Sequence, residues 1–576
     1  LRLCGEKEFC FLIGFSPEGG VMGIFDWHRL PRALGLLRLN SFRDRMRKKN
    51  LYDTETLPSI PREPLPAPTP NQISARTADG AYNDLNSPRM GSAGARFGRN
   101  VPLDKGGTDE ESLMFPSPRL VSAKLMTRDK FIPATSLNLL AAAWIQFQVH
   151  DWFSHGENED ANPHVVPLPA NDDWPHPQML VNRTRRDPTR PVNDTSKPNT
   201  YVNTETHWWD GSQLYGSNLA TQHKVRSFEH GKLKLADDGL LPLNSDGVDI
   251  TGVNSNWWVG LSMLHTLFTM EHNAICDRLR QDFPAWSDEE LFQRARLVNA
   301  AILAKIHTVE WTVGILATPI LEAGMNYNWN TIRRSKQEHH AAPFSMTEEF
   351  VSVYRMHPLI PDDFVFRSFG SGNVILERTM ETVANRHARQ VMNQVSLTDL
   401  FYSFGVAHPG AITLHNYPKH LQNLKLNGEV KMDLAAVDIL RDRERGVPRF
   451  NEFRRLVGLD PVKRFEDLSD NKDWCEEIRQ VYGGQLEDVD AMVGMFAEPL
   501  IKGFGFSETA FRIFLLMASR RLQSDRFFTT DYNEKTYTRA GLDWIEQTTM
   551  TTVLMRHLPQ LRLSKVKNAF APWPSA

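Results

Sequence analysis

Gln146 and His150 stand four residues apart in AAAWIQFQVHDWFSHGENE, residues 141–159, a spacing that stacks them on one face of an α-helix. Asp151 points roughly 100° away from His150. One face thus offers an amide and an imidazole to oxygen chemistry, while its neighbour offers a carboxylate to a hard cation. Taken alone, a helical histidine among aromatics is more commonly a packed core residue.

In THWWDGSQLY, residues 206–215, Thr206, Trp208, Asp210 and Ser212 alternate. An extended or looping backbone can then turn three side-chain oxygens and the Trp208 carbonyl toward one point, with Asp151 adding a further carboxylate. Calcium takes about six to eight such oxygens, although Asp-Gly-Ser is also ordinary turn chemistry. In Tyr354-Arg355-Met356-His357-Pro358, three-residue spacing in a last helical turn puts the phenol and the imidazole on nearly one side, and Pro358 disfavours continuing the helix. A histidine there could ligate haem iron opposite His150, with the phenol near the haem edge, as a tyrosyl radical needs. Tyr-x-x-His is nonetheless a common pair in cores and on surfaces.

The elements that must position these groups read as helices. Residues 258–283 and 288–321 show apolar recurrence at three and four and predict long buried helices, strand alternation is scarce, and residues 162–200 read as a long polar surface loop. The chain has 576 residues, 41% hydrophobic and 10% aromatic, which excludes disorder for most of it. No internal repeat or second compositional boundary divides it, so a mainly α fold with one large domain over residues 75–576 is expected.

Residues 1–74 read as an N-terminal arm. Residues 24–50 combine Leu34, Leu36, Leu37 and Leu39 with a basic end, Arg43 to Lys49. Core packing is the commoner explanation, and an interfacial membrane helix is the alternative. The proline-rich run 58–70 should extend and separate this arm from the body. No run of apolar residues reaches transmembrane length, and FCFLIGF (9–15) lacks a small-residue cleavage site. A net charge of −3 argues against nucleic acid. Four scattered cysteines favour a reducing, intracellular setting over a disulfide framework.

Taken together, these stretches resemble the animal haem peroxidase and cyclooxygenase superfamily, most closely its fatty acid α-dioxygenase branch. The resemblance spans residues 75–561. It rests on ordered motifs: RFGRN (96–100), IQFQVHDWF, WWDGSQLYG, EHNAICDRL from Glu271, AKIHTVEWT from Ala304, YRMHPLIPD, RDRERGVPRFNEFRRL (441–456) and DRFFTTDYNEKTYT from Asp525. It implies a haem peroxidase-like helical fold with haem b and calcium.

By position, the resemblance makes His150 the distal histidine and Gln146 the holder of distal water or peroxide. His357 becomes the proximal iron ligand and Tyr354 the residue oxidised to a radical. Asp151, Thr206, Trp208, Asp210 and Ser212 become calcium ligands. His307, Thr312 and Arg526 become a clamp for a substrate carboxylate, with Arg556 as the competing arginine. A five-residue step on an α-helix gives His307 and Thr312 no tight common face, so the resemblance alone supports that pair. His155 falls outside the matching motif.

Two departures also inform the reading. Asn254 stands where haloperoxidases carry a distal arginine, which argues against rapid halide oxidation. Asp438 stands where an asparagine supports the proximal histidine in mammalian peroxidases, and an anionic partner makes that ligand more electron-donating. The expected reaction is oxygenation of a fatty acid at carbon 2, with peroxide as activator, in a monomer that either stays free or touches a membrane peripherally. A mid-chain linoleate dioxygenase of the diol-synthase kind and a plain haem peroxidase are the alternatives.

Overall fold

The segment 139–152 spreads apolar residues over every side, with Gln146, Gln148, His150 and Asp151 set among them, and a helix apolar on all sides is buried on all sides. In the computed structural model, which describes residues 27–105, 109–333, 335–426 and 429–574, it forms a central helix. Only Gln146 and Val149 on it are less than fully buried, and both face one cavity.

The helices that build the site are α1 (Arg32–Lys49), α2 (Leu139–Trp152), α3 (Val259–Asp282), α4 (Asp288–Ile306), α5 (Pro319–Ile332), α6 (Glu348–Val353), α7 (Leu434–Glu444) and α8 (Glu508–Gln523). α3 packs on both α2 and α4. Ser287 starts α4 with a capping box, its hydroxyl accepting from Glu290 N and the Glu290 carboxylate accepting in return. Thr347 caps α6 through Phe350 N.

The described strands form three separate antiparallel hairpins: β1 (Glu159–Val166) with β2 (Met179–Arg183), β3 (Asp363–Arg367) with β4 (Val374–Thr379), and β5 (Leu424–Leu426) with β6 (Glu429–Met432). The fold is mainly helical, as expected. One continuous core runs from Trp27 to Trp573, with a small satellite cluster around Trp174 and Leu440.

The expected helix over 258–283 is α3. The one expected over 288–321 is interrupted: after α4 the backbone widens into a π-helical turn, His307–Trp311, then resumes over Thr312–Ile315 before α5 begins at Pro319. The loop expected over 162–200 contains the β1–β2 hairpin, whose burial alternates only partly and so left little period-2 signal.

The described part of the arm is not set apart from the body. α1 packs on α5 and α8, Trp27 stacks on Phe511 at 5.6 Å, and the buried Arg47 guanidinium donates to Ser519 Oγ at 2.8 Å and to Gln523 Oε1 at 2.6 Å. The run 58–69 is irregular and lies on the body, with Ile60 N donating to Thr189 O at 2.7 Å and Pro58 O accepting from Arg96. The FCFLIGF segment, Cys4 and Cys10 lie outside the described residues. No helix is long and apolar enough to cross a membrane among the described residues.

Candidate active site

His150 sits in the last turn of α2, on the wall of a cavity of about 630 Å³ that His357 enters from the other side. His150 is buried and its Nδ1 has no hydrogen-bond partner. Burial lowers its pKa to about 4, so the ring is a neutral base at pH 7. Gln146, one turn earlier, is oriented at both ends of its amide: Oε1 accepts from Trp258 Nε1 at 2.6 Å and Nε2 donates to Asn256 O at 3.1 Å. Asn254 turns away and donates to the Asp249 carbonyl; its neighbours Ser255 and Asn256 line the cavity instead.

Across the cavity, His357 Nδ1 meets Asp438 Oδ2 at 2.7 Å, which leaves Nε2 to the interior. Asp438 reaches His357 from α7. It also accepts from Tyr417 Oη at 2.8 Å and from Arg355 Nη1 at 2.5 Å. The neighbouring His357 and Arg355 hold its carboxyl down at about 2 against burial, so it is an anion throughout the physiological range. Tyr354 and His357 do not share a last helical turn: α6 ends at Val353, Tyr354 caps it, and His357 opens a separate 3₁₀ turn. Both side chains nevertheless reach the same cavity.

This cavity fits haem in its chemistry as well as its size. It presents an orphaned imidazole on one side and, on the other, an imidazole whose Nδ1 is held by a carboxylate, the usual arrangement for a metal-ligating histidine. Arg445, also on its wall, has only two 3.4 Å contacts to Thr184 Oγ1, leaving cationic capacity for acidic haem side chains. His155 lines the same cavity, but its Nε2 is committed to Glu348 at 3.0 Å and its ring stacks on Phe97 at 4.4 Å.

Tyr354 is also the partition to a second, much tighter crevice of about 20 Å³, whose lining includes His307, Thr312, Trp209, Phe350 and Arg521. His307 and Thr312 come together because of the π turn. Thr312 N bonds to His307 O, five residues back, and the wider winding lays the two residues side by side. α-Helical spacing had hidden that pairing. Trp144 Nε1 donates to His307 Nδ1 at 3.3 Å, which leaves the imidazole proton on Nε2. Burial keeps this ring neutral. Thr312 Oγ1 is buried with no partner.

Arg526 is not at this site. Its guanidinium donates to the carbonyls of Ile73 (2.7 Å), Gln72 (3.0 Å) and Tyr82 (3.3 Å) and pairs with Asp531. It therefore pins residues 72–82 to the body. Arg556 pairs with Glu271 at another place in the fold.

The arginine in the crevice is Arg521, on α8. It is buried, its Nε and Nη2 have no partner, and burial lowers its pKa to about 9. A buried guanidinium with idle N–H groups is costly unless an anion arrives. Sequence reasoning missed it because SRRLQSDRF offers three arginines, and only their partners tell them apart.

Asp151 and Asp210 meet behind the His150 helix. Both are fully buried, and burial, with their mutual repulsion, raises Asp151 to about 8; burial likewise raises Asp210. Ser212 N donates to Asp151 Oδ1 at 2.5 Å and to Asp210 Oδ1 at 3.2 Å. Arg296 bonds Asp210 Oδ2 at 3.0 Å. Asp151 Oδ2 and Thr206 Oγ1 are left without partners. Two buried carboxylates that repel each other, beside an orphaned hydroxyl, are a donor set suited to a hard cation.

Comparison with known proteins agrees with this geometry. The animal haem peroxidase model matches residues 75–570. The chain is 38% identical to alpha-dioxygenase 2 of Arabidopsis thaliana, covering 95% of this chain and 91% of that one. It is 39% identical to alpha-dioxygenase 1 of Capsicum annuum, covering 96% and 90%. The fold superimposes on the crystal structure of Oryza sativa fatty acid alpha-dioxygenase with a TM-score of 0.87 at 37% identity, covering 95% of this chain and 94% of that one. A variant of that rice enzyme crystallised with palmitic acid gives 0.88. With the paired histidines, the phenol between two cavities and likeness along nearly the whole length, the chain belongs to the animal haem peroxidase family, in its alpha-dioxygenase branch.

Proposed function

We propose that this protein oxygenates fatty acids at carbon 2 through a radical on Tyr354. The observation that carries the substrate class is Arg521: a buried guanidinium in the crevice behind that phenol whose Nε and Nη2 have no hydrogen-bond partner. A carboxylate satisfies it with paired charge-assisted hydrogen bonds. His307 contributes its Nε2–H and Thr312 its hydroxyl. Arg521 replaces Arg526 in the clamp.

Haem, held by His357 through Nε2, would supply the oxidising equivalent when peroxide activates it. His150 accepts a proton from peroxide and returns it to the departing oxygen, with Gln146 orienting the peroxide or water beside it. Tyr354 takes the hydrogen from carbon 2 of an acid fixed by its head group, so positioning chooses the carbon. Dioxygen adds there, and the peroxyl radical so formed takes a hydrogen atom back from the Tyr354 hydroxyl, which leaves the 2-hydroperoxy acid and restores the Tyr354 radical. The 2-hydroperoxy acid can then lose carbon dioxide and water to give an aldehyde one carbon shorter.

Calcium is the cation proposed for Asp151, Thr206, the Trp208 carbonyl, Asp210 and Ser212. It would neutralise the two carboxylates and brace α2 from behind. On the outer face of α1, Leu34 and Leu37 are exposed beside Arg45, Lys48 and Lys49, which suits peripheral contact with an anionic membrane surface. α1 also borders the crevice, since Arg43 reaches Asn328 and Arg47 reaches Ser519, both on its lining.

Oxygen uptake tests the substrate class. Palmitate should sustain uptake and palmityl alcohol should not; equal uptake with both would remove the carboxylate from the account.

A further inference from the structure

The phenol is pressed against an easily oxidised neighbour. Trp152 meets the Tyr354 ring edge-on at 5.3 Å, and from Trp152 the aromatics continue inward: Trp209 at 5.6 Å, His307 at 5.0 Å, and Trp311 stacked on His307 at 4.7 Å. A hole on Tyr354 therefore has a contiguous path into the core, and nothing in the distances stops it from draining there. The charges do. The Arg521 guanidinium lies 4.0 Å from the Trp152 ring centre and 4.2 Å from that of Trp209, with no carboxylate bonded to its Nε or Nη2.

We infer that Arg521, packed on Trp152 and Trp209, is an electrostatic barrier that confines the oxidising equivalent to Tyr354 while the enzyme waits for substrate. This rests on the reading of Tyr354 as the radical site. For the hole to escape, an electron must pass from Trp152 to the Tyr354 phenoxyl, and a proton must follow it to Tyr354 Oη to restore the phenol. Trp152 is left one electron short. It cannot shed the charge as a proton, because its buried Nε1 has no acceptor. It would have to persist as an indole cation facing a fixed positive charge in a site of low dielectric. Attraction between a cation and a neutral indole face becomes repulsion once the indole is oxidised.

A bound carboxylate compensates the same guanidinium, so the barrier is highest when the site is empty. That is also when an idle radical most needs confining. Arg521 is thus a positioning residue twice over, for the substrate head group and for the hole.

The test is electron paramagnetic resonance of the full-length, haem-loaded protein mixed with peroxide and no fatty acid, made with and without indole-deuterated tryptophan. The unmodified protein should give a tyrosyl signal that is insensitive to indole deuteration and lost in Tyr354→Phe. Arg521→Met should add a signal that narrows on indole deuteration and shorten the tyrosyl lifetime about tenfold or more. Adding Trp152→Phe to that variant should restore the lifetime. An indole-sensitive signal in the parent, or an unchanged signal and lifetime in Arg521→Met, overturns the barrier. A parent with no tyrosyl signal that depends on Tyr354 overturns the radical reading itself, and the barrier with it.

Discussion

Arg521, Arg526 and Arg520 lie within six positions of one another, and chemistry distinguishes them only through their partners. Arg526 spends its N–H groups on backbone carbonyls and Asp531, and Arg520 spends its own on the carbonyls of His339, Ala342 and Pro343. Arg521→Gln should weaken fatty acid binding by about 2–5 kcal/mol, the cost of truncating one member of a buried charge pair, while leaving haem uptake intact. Arg526→Ala should instead lower thermal stability, with little change in affinity for the acid in the folded enzyme. Titration calorimetry beside thermal melts separates the two, and the reverse pattern would return Arg526 to the clamp. That His150 and His357 belong to one site was legible from motif and spacing, and both line the same cavity; the arginine of the crevice was not legible, because nothing local records which guanidinium lacks a bonded anion. Asp438 was visible as a departure, but its 2.7 Å contact with His357 joins residues 81 positions apart. Asp438→Asn should raise the haem reduction potential and cost about 10–100-fold in haem affinity or activity, read by redox titration; an unchanged potential would show that the carboxylate does not tune the ligand.

The π turn at His307–Trp311 is the element that α-helical arithmetic could not foresee. The sequence carries the apolar period of a long helix through that point, while the extra residue per turn is set by packing of His307 against Trp152, Trp209 and Trp311. The end of α2 poses a similar case. The Gln146–His150 face was readable from spacing, as was Asp151 pointing elsewhere, but the electrostatic cost of burying Asp151 beside Asp210 was not. With calcium chelated, Asp151 has a folded pKa of about 8 against an unfolded value near 3.8. The folded state then binds the extra proton between those values, so stability should fall as pH rises from about 4 to about 8 and level off above. Restoring calcium should remove that slope, raise the melting temperature, and release about one proton per site at neutral pH. Melts with and without chelator across this range check the sign; a slope unaffected by calcium would place no cation there.

At the scale of the whole molecule, the helical class and the single large core were legible because long apolar periodicity dominates the chain. The docking of its N-terminal part was not, since a proline-rich run reads the same whether it spans solvent or lies on a surface. Trp27 is wholly buried against Phe504 and Phe511, so Trp27→Ala should cost about 3–5 kcal/mol and shift one cooperative unfolding transition. A separate low-temperature transition would mean that the arm folds apart from the body. Its neighbours α5 and α8 also wall the crevice, which ties the arm to substrate access as well as to stability. The account as a whole rests on which carbon meets Tyr354. Mass spectrometry of the products from palmitate under isotopically labelled dioxygen reads that carbon directly. The account predicts a labelled 2-hydroperoxide together with the aldehyde one carbon shorter, and neither from the Tyr354→Phe enzyme; a labelled mid-chain hydroperoxide with carbon 2 untouched would contradict it.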